Sequence, residues 1–182
     1  IAEHNNHNLQ IITAPSTNVG DFAMGALGEF CQNLRKVNFS RTLVSSKGVC
    51  SMMMGCPKVT DIDVHGCDHM TGRGALVVLT PDDTQTFPNK LKRLNFANTQ
   101  FRNGCCYWLG KGYPSLEYLN ISGCLDTSDA GVIELTRGCK KINSLVLDGL
   151  TQLTTIGIRA VFQGLPRLKT LDVSGTRRLN DH

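Results

Sequence analysis

Apolar side chains recur along this chain in one arrangement, L-x-x-L-x-L. Its copies open at Leu9, Leu34, Val59, Leu91, Leu116, Ile142 and Leu168, separated by 25, 25, 32, 25, 26 and 26 residues. The last positions of each copy alternate apolar and polar, which predicts a short strand with one buried face. Further on, apolar positions return at spacings of three and four, which predicts an amphipathic helix. The pattern places strands near 11–14, 36–39, 61–64, 93–96, 118–121, 144–147 and 170–173, with a helix after each of the first six.

The copy from Leu116 to Cys139 shows the plan. Leu116, Leu119 and Ile121 point inward, with polar neighbours between them. Gly123-Cys124 turns the chain, and Ser128 or Asp129 is expected to cap a helix by accepting an orphan backbone N–H. Val132, Leu135 and Cys139 form the buried stripe, and Arg137-Gly138 ends the helix. Equivalent stripes read Met24, Leu27, Cys31; Val49, Met52, Cys56; and Ile158, Val161, Leu165. Expected caps elsewhere are Ser46, Thr71 and Thr155, and a glycine near the helix start recurs as Gly48, Gly74, Gly104, Gly131 and Gly157. Eight residues after each start come Thr17, Thr42, Cys67, Thr99, Cys124, Leu150 and Thr176, where a hydroxyl or thiol can bond the turn's backbone.

A period of 20–29 residues with this motif marks a leucine-rich repeat array. One unit cannot bury its own apolar face, so units stack on a shared core. The expected fold class is α/β: a right-handed horseshoe arc with a parallel concave sheet and convex helices. We read residues 1–182 as one array of about seven repeats, and both ends as cut from a longer array. The third repeat carries its surplus at Thr80–Lys90, a Pro- and Asp-containing surface loop.

The motif L-x-x-L-x-L-x-x-C, a T/S-D-x-G-like helix start and a closing Cys resemble the cysteine-containing subclass of leucine-rich repeats. The stretches SLEYLNISGCLDTSDAGVIELTRGC and NLRKVNFSRTLVSSKGVCSMMMGC carry the likeness. The resemblance implies the substrate-recognition arc of an F-box-type ubiquitin ligase, reaching its adaptor through a flanking segment. The alternative it allows is a scaffold subunit of a large ciliary, axonemal or organellar assembly. No F-box helix pattern stands in these residues.

Eight cysteines change the picture little. They follow the repeat, so they read as buried, reduced thiols of an intracellular, cytoplasmic or cytoskeletal protein. Cys31 and Cys56 stack in neighbouring repeats, where oxidation is geometrically conceivable. Net charge is +4 without basic runs, which argues against nucleic acid. No apolar run reaches the roughly 18 residues of a membrane span. Asp61, Asp63, His65, Cys67 and His69 alternate and invite a metal, but Cys67 sits at the repeat's own Thr/Cys position, and we expect no metal or cofactor. The sequence has no phosphate-binding Gly loop, no nucleophile elbow and no paired carboxylates tied to a cleft, so we expect no enzyme. Alignment with Leu135 puts Trp108 in the core and leaves Tyr107 toward solvent.

Protein partners are therefore expected on the concave face. Its central candidates are Lys36, Asn38, Asp61, Asp63, His65, Arg93, Asn95, Tyr118 and Asn120. Asp61 lies between Lys36 and Arg93 on adjacent strands, which permits either a self-neutralising ladder or a polar strip that reads a partner.

Overall fold

The computed structural model describes residues 8–71 and 90–179. Seven three-residue strands form one parallel sheet in chain order: β1 (Ile11–Thr13), β2 (Lys36–Asn38), β3 (Asp61–Asp63), β4 (Arg93–Asn95), β5 (Tyr118–Asn120), β6 (Ser144–Val146) and β7 (Thr170–Asp172). Helices α1 (Asp21–Phe30) and α2 (Ser46–Gly55) follow β1 and β2. Helices α3 (Asn103–Gly112), α4 (Asp129–Gly138) and α5 (Thr155–Gly164) follow β4, β5 and β6. The expected helix after β3 and the loop at 80–89 lie outside the described residues.

The register is strictly in step: Lys36 pairs with Asp61, Asp61 with Arg93, and Arg93 with Tyr118. Each middle strand residue points to the helices, and its neighbours point away. The fourth residue expected in each strand continues the ladder, since Phe39 N–H donates to Asp63 O and Ile121 N–H to Val146 O. The core is a set of columns, one residue per repeat. One runs Leu34, Val59, Leu91, Leu116, Ile142, and another Phe39, Val64, Phe96, Ile121, Leu147, all buried. Each unit thus covers its neighbour's apolar face.

The turn after each strand has a rule of its own. The residue seven after each repeat start has positive φ in all seven copies. It is Gly66, Gly123, Gly149 or Gly175 in four, but Ser16, Arg41 or Asn98 in three. Its N–H donates to the next repeat, as in Arg41 to His65 O at 2.8 Å, so the left-handed turn serves the ladder. At the following position, Thr42 Oγ1 donates to Phe39 O at 2.6 Å. The Cys67 thiol of the next repeat reaches that same carbonyl at 3.1 Å. Thr99 and Cys124 share Phe96 O in the same way.

Helix starts differ from the expectation. The N-cap positions are Ser45, Ser128 and Thr154, so Ser46 and Thr155 lie one residue inside their helices. Ser45 and Thr154 accept the N–H two residues on, whereas the Ser128 side chain makes no capping bond and accepts from Asn103 Nδ2 at 2.9 Å instead. The first helical residue of one repeat also clamps the start of the next helix. Asp21 accepts from Ser45 N at 2.8 Å and Ser45 Oγ at 2.6 Å. Asn103 takes the same position below α4 and Asp129 below α5; Asp129 accepts from Thr154 N, Thr154 Oγ1 and Gly157 N at 2.8, 2.6 and 3.0 Å. This explains Gly48, Gly131 and Gly157, where a Cβ would collide with the clamping carboxylate or amide. Gly104 is not equivalent: the third residue of α3, which aligns with Gly131, is the buried Cys105.

Trp108 corrects a second expectation. It is half-buried, and Leu109 holds the core position that Leu135 holds in α4. Corresponding residues lie 25 apart from β4 to β5 and 26 apart from α3 to α4, so Leu109 aligns with Leu135 and Trp108 with Glu134. The consequence is that Tyr113 N–H donates to Leu109 O as Cys139 N–H does to Leu135 O, so a buried tyrosine closes this repeat in place of cysteine.

Candidate functional site

The concave face carries two rows of outward side chains, and they do different work. One row is Lys36, Asp61, Arg93 and Tyr118. The Arg93 guanidinium carbon lies 4.2 Å from the centre of the Tyr118 ring, and its Nε lies 3.7 Å from Asp61 Oδ1. Thr60 Oγ1 donates to Asp61 Oδ2 at 2.7 Å, which fixes the carboxylate. Arg93 is therefore held flat between an acid and an aromatic face while half of its side chain stays exposed. A stacked guanidinium is worth about 0.5–1 kcal/mol at an open site, enough to orient it ahead of binding. Lys36 is exposed at the end of this row.

The second row ends the strands. Oδ1 of Asn38, Asp63, Asn95, Asn120 and Asp172 each accepts the N–H of the residue two ahead, at 2.9–3.2 Å. The hydroxyls of Ser40, Ser122 and Ser174 add a second bond to the same oxygens. Those bonds hold the Asp172 carboxyl below its ordinary value. Asn and Asp satisfy their own backbone where a ladder ends. The Asx rule was readable from the sequence, because five of the seven positions are Asn or Asp. His65 joins this row: its Nδ1 lies 2.8 Å from Asp63 Oδ1, and Asn95 Nδ2 donates to Asp63 Oδ2 at 3.2 Å.

Between the rows lies a shallow hollow of about 170 Å³, lined by Asp61, Asp63, Arg93, Asn95 and Tyr118 over the apolar floor of Ile62 and Leu94. Small-molecule sites run roughly 300–1,000 Å³ and enclose their ligand. This one is open and half polar, a form suited to one or two side chains of a protein partner. Among the described residues no group of three His, Cys, Asp or Glu side chains is placed to hold a metal, and His69 is exposed.

None of the eight cysteines forms a disulfide, and seven are buried. Cys56 Sγ donates to Cys31 O at 3.3 Å, so the stacked pair meets through a backbone carbonyl. Burial pushes the Cys56 thiol up to about 11 and Cys139 to about 12. Cys105 and Cys106 are raised too, first by burial. Protonated buried thiols are poor nucleophiles, so the vicinal pair is inert packing. Tyr107 is on the surface, edge-on to Trp108 at 5.2 Å.

No protein-family profile matches the chain. Among solved structures it is similar to the complex of Rad7 and Elc1 in yeast, with a TM-score of 0.69 and 19% identity over 86% of this chain and 41% of that one. It is also similar to human 5T4, also called Wnt-activated inhibitory factor 1 or trophoblast glycoprotein. There the TM-score is 0.50, with 18% identity over 80% of this chain and 53% of the other. The chain thus spans about half the length, or less, of the chains it resembles. These likenesses are of fold, and the fold is a leucine-rich repeat solenoid, a class that presents a concave sheet to macromolecular partners.

Proposed function

We propose that this chain is a non-catalytic protein-recognition module that binds its partner along the concave sheet, with Arg93 and Tyr118 as anchors. The observation that carries the proposal is the ordered Asp61–Arg93–Tyr118 stack beside an open hollow. Tyr and Arg dominate interface hot spots, and a guanidinium already oriented gives up little entropy on binding. The Asn38, Asp63, Asn95 and Asn120 row sets the spacing of that surface and adds hydrogen-bonding edges. Within this reading, the cysteine-containing repeat signature supports a substrate-receptor role in an F-box-type ubiquitin ligase, with the adaptor engaged by a separate segment. The likeness to Rad7 adds the fold to that argument and no more.

A scaffold role finds support in the helical face, where Phe22, Ile156 and Phe162 are 94%, 64% and 67% exposed. An assembly that covers both faces of the arc would bury them.

The test is affinity capture with the full protein, followed by titration of the captured partner against Arg93→Ala/Tyr118→Ala. Affinity should fall at least about tenfold, the ratio set by 1.4 kcal/mol. Retention within a factor of two, with loss of binding on changes at Phe162 or Ile156, overturns the concave reading. Recovery of a cullin-ligase adaptor supports the receptor role, and its absence beside a stable multisubunit complex supports the scaffold.

A further inference from the structure

The connectors that lead from each helix into the next strand line one edge of the solenoid, and their charge is one-sided. Arg35 precedes β2, Lys58 precedes β3, and Lys90 and Lys92 precede β4. Lys140 and Lys141 precede β6, and Arg167 and Lys169 precede β7. All eight are exposed, and Glu117 is the one acid among the described residues of these connectors. The described residues of the edge therefore hold eight cations and one acid. The remaining described residues hold ten of each, so the edge accounts for their whole surplus. The opposite edge, where strands lead into helices, carries four cations and three acids. The described residues thus collect a local charge of +7 along one file.

Little of that charge is answered from within. Among the described residues the edge holds one ion pair, Lys92 to Glu117 at 3.4 Å. Lys140 Nζ donates to Gly164 O at 3.0 Å at the end of α5, and Lys58 Nζ donates to Asn33. Complementing helix C-termini accounts for one lysine at each end, not for Lys90, Lys141, Arg167 and Lys169 as well. Adjacent strands lie about 4.8 Å apart, so the file from β2 to β7 spans about 24 Å, the length of roughly seven extended residues.

We propose that this basic edge binds an extended acidic protein segment, rich in Asp and Glu, that runs along it beside the concave sheet. Charge complementarity selects an anionic partner, and the surroundings select a narrow one. Asp61 and Asp63 lie on the sheet next to the file, so a wide, uniformly charged nucleic acid would cover them. Six of the eight cations are lysines, point charges without the fork that grips phosphates. Among the described residues of the edge no aromatic ring lies open for base stacking, since Tyr113 is buried and Tyr118 lies against Arg93.

The probe is a fluorescent twelve-residue peptide of alternating Glu and Gly, titrated with the whole protein at low and physiological salt. Binding should weaken as salt rises. It should weaken about tenfold or more in Lys141→Glu/Arg167→Glu/Lys169→Glu, and stay within twofold in the opposite-edge control Arg177→Glu/Arg178→Glu. Circular dichroism and a melting curve confirm that both variants fold; if the triple variant does not, Lys141→Gln/Lys169→Gln replaces it, with a loss of about threefold expected. Arg93→Ala/Tyr118→Ala should keep the peptide, which separates this edge from the concave anchors. No binding at low salt, equal loss in the opposite-edge control, or tighter binding of a 12-base RNA or 12-base-pair DNA at matched salt overturns the proposal.

Discussion

Asp129 holds three donors at the start of α5, two of them backbone N–H groups that α5 itself cannot satisfy. Its replacement by alanine should cost about 2 kcal/mol in chemical denaturation, between the worth of a cap and that of a charged hydrogen-bond set. Gly157→Ala alone should cost about 1–3 kcal/mol, because its Cβ meets that carboxylate and Leu153. In the Asp129→Ala background the second cost should shrink, and a double-mutant cycle measures the coupling. Cys139 is fully buried with its thiol aimed at Leu109 O and Tyr113 O. Cys139→Ser should destabilise by about 1–3 kcal/mol by putting a hydroxyl in an apolar column. In the native protein Cys139 should resist thiol labelling, and rapid modification would contradict its burial. At this scale the sequence showed which positions repeat. It did not show partners across repeats: Asp129 looked like a cap for its own helix, since a local bond is the simplest reading of one sequence.

Helix pairs reveal why glycine ends most of the helices. A Cβ on Gly138 would fall onto the backbone of Gly110 in α3, and one on Gly55 would fall onto Gly28 in α1. The helix ends approach backbone to backbone there. Gly138→Ala should therefore cost about 2–3 kcal/mol, beyond what a helix-end glycine normally loses, and a melting curve should show it. The heptad-free stripe of apolar residues gave the helices their extents and buried faces. Trp108 shows where pattern reading slips. The spacing from α3 to α4 is 26 residues, and pairing Trp108 with Leu135 overshoots it by one; burial picks out Leu109. The strands were legible almost to the residue, because alternation over a fixed period leaves one register that buries every leucine.

For the whole molecule, the buried titratable groups set an alkaline limit. Cys56 rises from an ordinary 9.0 to about 11, Cys139 from 9.0 to about 12, and Tyr113 from 10.0 to about 12, each mainly by burial. Below pH 9.0 both folded and unfolded chains keep these protons, and stability is unaffected. Between 9.0 and about 12 the unfolded chain releases them first, so stability falls as pH rises through that window. Urea midpoints taken at pH 7, 9 and 10.5 should stay level and then drop. The arc and its concave face were readable from the repeat, but the Asp61–Arg93–Tyr118 stack depended on three strands meeting in register. The basic edge escaped notice for a related reason: its charges are single residues dozens of positions apart, and only the fold collects them.

The clamp from one helix to the start of the next has a direction. Asp21 serves α2, Asn103 serves α4 and Asp129 serves α5, always from the earlier repeat to the later. As the chain leaves the ribosome, each of these three helices finds its latch already built on the unit before it. Assembly can then follow synthesis, one repeat at a time, without waiting for residues still to be made.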